Sequence, residues 1–106
     1  KDAEIGGGYS NPAVGPEDTL YLQLPTVTGA AGVPANMNLA PTSITVDGVT
    51  ATFVARVDQN ETADRYWVKC TLPEADQYSA ATVTFPDNPN TGDPRSFTAT
   101  QIVVAP

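Results

Sequence analysis

Residues 43 to 57 read SITV, then Asp47-Gly48, then VTATFVARV. Two alternating β-branched runs joined by Asp-Gly specify a two-residue β-hairpin, because a type I′ turn needs positive φ at both central positions. The first strand turns Ile44 and Val46 to one face. In the second, Val49, Ala51, Phe53, Ala55 and Val57 share the core face, Thr50, Thr52 and Arg56 mark the other, and Val54 is out of phase. A chain that commits this much sequence to alternation must find a second sheet to cover its apolar face.

The rest of the sequence supplies it. Leu20, Leu22 and Leu24 alternate with Thr19, Tyr21 and Gln23 before Pro25 stops the run. Tyr66, Val68, Cys70 and Leu72 alternate with Trp67, Lys69 and Thr71, which turns Trp67 outward. Val83 and Phe85 lie on one face of a short strand closed by Pro86. In the last run, 96 to 104, Phe97 and Ala99 are on one phase and Ile102 and Val104 on the other. A β-bulge near Thr100 and Gln101 would keep both pairs inward. Residues 26 to 41 contain Gly29, Gly32, Pro34 and Pro41 and read as a long surface loop. Residues 73 to 81 read as a connection. The expected fold is all-β: an antiparallel immunoglobulin-like β-sandwich of six to seven strands over residues 17–106.

Residues 1–16 hold four Gly and two Pro, with Ile5, Tyr9 and Val14 as the sizeable apolar groups and no periodicity. They read as an extended N-terminal arm or linker that cannot order itself by burial and would need a neighbouring chain. Lys1 in the first position reads as a processed or excerpted chain.

Composition narrows the chemistry. Among 106 residues there is no His and a single Cys, so Ser/His and Cys/His nucleophile pairs, imidazole metal sites and an internal disulfide are excluded. Twelve acids against five bases give a net charge of −7, which repels a phosphate backbone and argues against nucleic acid. No apolar run approaches a membrane span, and no secretory leader pattern opens the chain. No catalytic residue, cofactor or metal is expected. Asp87, Asn88, Asn90 and Asp93 faintly suggest a calcium loop, but the acidic twelfth residue is missing and a loop of Asx turns explains them better. Asn60-Glu61-Thr62 is formally a glycosylation acceptor.

PTSITV (41–46), WVKC (67–70), ATVTF (81–85) and an Asn-rich loop leading to Arg95 in RSFTAT (95–100), followed by Gln101, occur in that order. Residues 38–101 thereby resemble the BACON domain, a small β-sandwich of Bacteroidetes surface proteins and of their phages. The resemblance implies a non-catalytic module that binds carbohydrate or mucin, or serves as a spacer. It carries no binding motif to transfer. It departs from the family at the tight Asp-Gly turn and at residues 1–37, which have no counterpart in one repeat.

Trp67 has three open roles: core filler, interface residue or platform for a sugar ring. Tyr21 and Tyr78, with Tyr9, are the further aromatic candidates for a ligand. Two functions follow. The first is a structural or assembly module on a virion, fibre or cell surface, contacting other protein chains through the arm at Ile5, Tyr9 and Val14. The second is a carbohydrate-binding or adhesion module. Either places the protein outside the cell or on a virion surface.

Overall fold

The computed structural model describes residues 2–3, 17–57 and 66–105. The fold is all-β, as the alternation predicts. The strands are β1 (Asp2–Ala3), β2 (Glu17–Leu24), β3 (Ser43–Val46), β4 (Val49–Thr50), β5 (Thr52–Val57), β6 (Tyr66–Pro73), β7 (Gln77–Tyr78), β8 (Ala81–Phe85), β9 (Arg95–Thr98) and β10 (Gln101–Val104). Eight of them form two antiparallel four-stranded sheets, ordered β10-β2-β6-β5 and β4-β3-β8-β9. The two-residue β1 pairs in parallel with β7 of the same chain. The remainder of residues 1–16, with Ile5, Tyr9 and Val14, lies outside the described residues, as does the 60–62 acceptor.

The sheets enclose one interior. Leu20, Leu22, Val68, Cys70, Val83 and Ile102 are completely buried, and Ile44, Val46, Phe85 and Val104 nearly so. Two registers locate its centre: Leu22 faces Val68 in the first sheet, and Ile44 faces Val83 in the second. Burial pushes the Cys70 thiol up from 9.0 to about 12, so it stays protonated and unreactive at neutral pH. A thiol reagent is expected to leave Cys70 unmodified in the native protein and to label it fully in denaturant. Fast native labelling would place Cys70 at the surface.

The Asp47-Gly48 turn forms as expected, with φ of 51° and 81°. Asp47 does more than turn the chain. Its carboxylate accepts hydrogen bonds from the backbone N–H of Ser79 at 2.8 Å and of Ala80 at 2.9 Å, tying the hairpin to the approach to β8. Asp47→Ala loses both bonds and places alanine in the left-handed region. It should cost about 2–3 kcal/mol in chemical denaturation, whereas Asp47→Asn, which tolerates that region, should cost about half as much. Equal costs would show that the carboxylate bonds, not tolerance of the left-handed turn, are what Asp47 supplies.

Three expectations need correction. The run 49–57 is two strands: Val49–Thr50 pairs with β3, Ala51 donates its N–H to Ile44 O at 2.9 Å, and Thr52–Val57 belongs to the opposite sheet. Val49 is therefore an edge residue, 46% exposed. Within β5 the register shifts between Phe53 and Ala55. The bulge at Val54 reverses the later phase, so Ala55 and Val57 leave the core face and Arg56 points inward.

The third correction concerns the final run. No bulge sits at Thr100 and Gln101; the strand changes sheets there. The N–H of Ala99 donates to Ala81 O in one sheet, and that of Thr100 to Gln23 O in the other, both at 2.9 Å. Phe97, Ala99, Ile102 and Val104 are all buried, as the parity argument requires. The two long runs thus close opposite sides of the sandwich by crossing between its sheets. They also explain why eight strands appear where six or seven are legible.

Candidate functional site

The aromatic candidates among the described residues, Trp67, Tyr21 and Tyr78, do not converge. Trp67 stands on the outer face of the first sheet, opposite Gln23 and Val57, as its phase predicts. It is nevertheless only 5% exposed, and its indole N–H is buried with no hydrogen-bond partner among the described residues. A sugar platform needs an open ring face, so Trp67 offers none in this state. Tyr21 is half-buried on the same outer face, with the Lys69 ammonium 5.8 Å from its ring centre. Tyr78, expected on a loop, is almost fully buried, and its hydroxyl donates to the carboxylate of Asp18 and accepts from the N–H of Ala75 at 3.1 Å. Sequence placed Tyr78 wrongly because a two-residue strand inside a polar connection carries no periodic signal.

The 87–94 loop is a set of Asx turns. Asn88 Oδ1 accepts from the N–H of Asn90 and of Thr91, and Thr91 Oγ1 donates to Asp93 at 2.6 Å. Asn88 Nδ2 also donates to Ala30 O at 2.9 Å, which joins this loop to the long 25–42 loop. Among the described residues no group of His, Cys, Asp and Glu side chains is placed to hold a metal ion.

Two surface features stand out from the rest. The first is the outer face of the β4-β3-β8-β9 sheet. Because Ile44, Val46, Ala81, Val83, Phe85 and Phe97 point inward, the alternate residues point out. Register aligns them in two rows across the strands: Ser43, Thr84 and Ser96, then Thr50, Thr45, Thr82 and Thr98. Every outward position on these four strands is Ser or Thr. Neighbours within a row stand about 4.8 Å apart from strand to strand, and Thr84 and Ser96 share a hydrogen bond at 2.9 Å. On a chain of net charge −7, this face carries no charge.

The second feature lies at one end of the sandwich, where the 25–42 loop meets the starts of β6 and β9. A cleft of about 380 Å³ opens there, lined by Thr26 to Gly29, Gly32 to Ala35, Tyr66 and Arg95. Two arginines build that end from opposite sheets. Arg56, turned in by the Val54 bulge, donates from Nη1 to Pro34 O and Asn36 O, both at 2.8 Å. Its guanidinium lies 4.7 Å from the Tyr66 ring centre and 5.3 Å from that of Phe85. Arg95, opposite Phe85 in register, donates from Nε to Pro86 O at 2.7 Å and from Nη2 to Asp87 O at 3.4 Å.

Both arginine residues are less than one-tenth exposed, and among the described residues their hydrogen bonds go to carbonyls alone. Burial lowers the Arg56 pKa from its ordinary value, with Tyr66 opposing that shift. Arg56 Nε and Nη2 are buried and have no hydrogen-bond partner among the described residues. Two largely buried arginines, with no carboxylate among the described residues hydrogen-bonded to either, give this end positive potential. Sequence reading missed this pair. Alternation alone turns Arg56 outward, and only the bulge reverses it.

The chain matches no known family model, no curated protein and no solved structure.

Proposed function

We propose that this protein is a non-catalytic structural module of a surface, one that assembles through contact between copies of itself. The observation that carries the reading is the hydroxyl face of the β4-β3-β8-β9 sheet. Copies of a chain carrying −7 repel one another. They repel least where both present an uncharged surface. Threonine also suits contact: its stiff β-branched side chain has little rotamer freedom to lose, and no ion must be stripped of water when it is covered. Val49, exposed on the edge of this sheet, adds apolar area to the rim.

Sedimentation velocity of the full chain at rising micromolar concentration tests this. Association is expected, and Thr82→Lys and Thr45→Glu, each placing a charge mid-face, should abolish it while the melting temperature holds. A monomer at every concentration, or association untouched by either charge, would overturn the reading.

A second reading, the carbohydrate-binding or adhesion module that the BACON resemblance implies, is favoured by the cleft. Its volume lies within the range of small-molecule sites, and Tyr66 supplies an aromatic ring in the wall.

A further inference from the structure

We propose that the cleft between the 25–35 loop, Tyr66 and Arg95 binds a small carboxylate-bearing ligand, a single acidic sugar unit of the uronate class. The inference deepens the adhesion reading and is independent of the hydroxyl face.

Charge comes first. Arg95 lines the cleft, and its Nη1 makes no hydrogen bond with the described residues. Arg56 stands behind the wall, stacked on Tyr66 and bonded to the carbonyl of Pro34, which lines the cleft. No acidic side chain among the described residues lines it. An anion entering here meets Arg95, less than one-tenth exposed, with the positive charge of Arg56 behind the wall, and charge-assisted bonds are about twice as strong as neutral ones.

Shape and polarity narrow the class. The wall alternates apolar groups, Val27, Val33, Pro34 and the Tyr66 ring, with the polar backbone and hydroxyls of Thr26 and Thr28. A bare, strongly hydrated inorganic anion uses only the arginine. A sugar acid uses both parts: its carboxylate meets Arg95 Nη1 and the Tyr66 hydroxyl, which has no partner among the described residues, and its ring lies on the apolar wall. About 380 Å³ accommodates one such ring.

Gly32 shows that the wall is tightly made. A Cβ at this position would stand 2.4 Å from Val27 O and 2.8 Å from the carbonyl carbon of Thr28, so only glycine lets the loop fold back on itself. The fold-back is held by Gly32 N–H to Gly29 O and Val33 N–H to Val27 O, both at 3.0 Å.

The test is a calorimetric titration of the full chain with glucuronate, with glucose and inorganic phosphate as parallel arms. Glucuronate should bind saturably, and glucose and phosphate at least about tenfold more weakly, the equivalent of one charge-assisted hydrogen bond. Arg95→Gln should weaken glucuronate about tenfold or more, and Tyr66→Phe, which keeps the ring under Arg56, about threefold. Should Arg95→Gln not fold, Tyr66→Phe decides. Absence of glucuronate binding, equal binding of glucose, equal binding of phosphate, or a folded variant set with unchanged affinity would overturn the proposal. Glucuronate binding by a strictly monomeric chain would refute the assembly reading and leave this one standing.

Discussion

Phe85→Ala is expected to lower the unfolding free energy by about 3–5 kcal/mol, the usual cost of emptying a buried phenylalanine site. A domain of this size holds about 5–15 kcal/mol in all, so the variant should be partly unfolded in mild urea. Phe85 is almost fully buried, meets Phe97 edge to face at 6.1 Å between centroids, and carries Arg56 on its ring. Its removal opens a cavity and takes away one of the two aromatic faces that hold the Arg56 guanidinium. The loss should therefore spread to the Pro34 and Asn36 carbonyls that Arg56 grips, and the 25–42 loop should become protease-sensitive before the sheets do. Phe85→Leu, which refills most of the volume, should cost less than half as much. A loss below about 1 kcal/mol for the alanine variant would mean that Phe85 is not enclosed as described.

Tyr78→Phe is expected to cost about 2–3 kcal/mol, since it deletes a buried hydrogen bond to a carboxylate. The ring stays, so packing is held constant. Asp18, itself only 4% exposed, loses a donor, and the N–H of Ala75 loses its acceptor. Burial, and then the bond to Asp18, raise the Tyr78 pKa above its ordinary value. The folded state then holds its phenolic proton more tightly than the unfolded chain. The stabilisation is fully present below the unfolded pKa of about 10 and is lost as pH rises beyond it, by up to about 1.4 kcal/mol per unit. Cys70 acts in the same direction from about 9 upward. Wild-type stability measured by urea titration should thus fall steeply above pH 9 to 10. In Tyr78→Phe the fall should be shallower, with the Cys70 part retained. An identical alkaline profile in the two proteins would show that Tyr78 titrates as freely folded as unfolded.

What sequence could and could not reveal follows from the range of the interactions involved. Strict alternation at Leu20, Leu22 and Leu24, or at Val83 and Phe85, is a local pattern with one solution, and those residues are buried as expected. Asp47-Gly48 is equally local. The parity break between Ala99 and Ile102 was visible, but its cause was not. A bulge and a change of sheet both move one residue's phase, and only the partners of Ala99 and Thr100 separate them. The Val54 bulge was visible as a single misfit valine. Its consequence, an arginine turned into the interior, reverses the hydrophobic rule and had no sequence signal. The hydroxyl face was present in the sequence as Ser-x-Thr at 43–45 and 96–98 and Thr-x-Thr at 82–84. These fragments become one surface only when β8 is seen to pair with both β3 and β9. Trp67 shows the opposite case: its phase was right and its exposure was not, because alternation reports direction and not what lies above the ring.

Cysteine chemistry gives the most direct access to the assembly claim, because buried Cys70 leaves an introduced thiol as the sole reactive one. Maleimide labelling of Thr82→Cys, on the hydroxyl face, should be fast in dilute solution and strongly slowed at concentrations where the chain associates. Thr28→Cys, in the exposed long loop, should label at the same rate in both. Equal labelling of Thr82→Cys in the dilute and associated protein would contradict the account, since copies would then meet elsewhere.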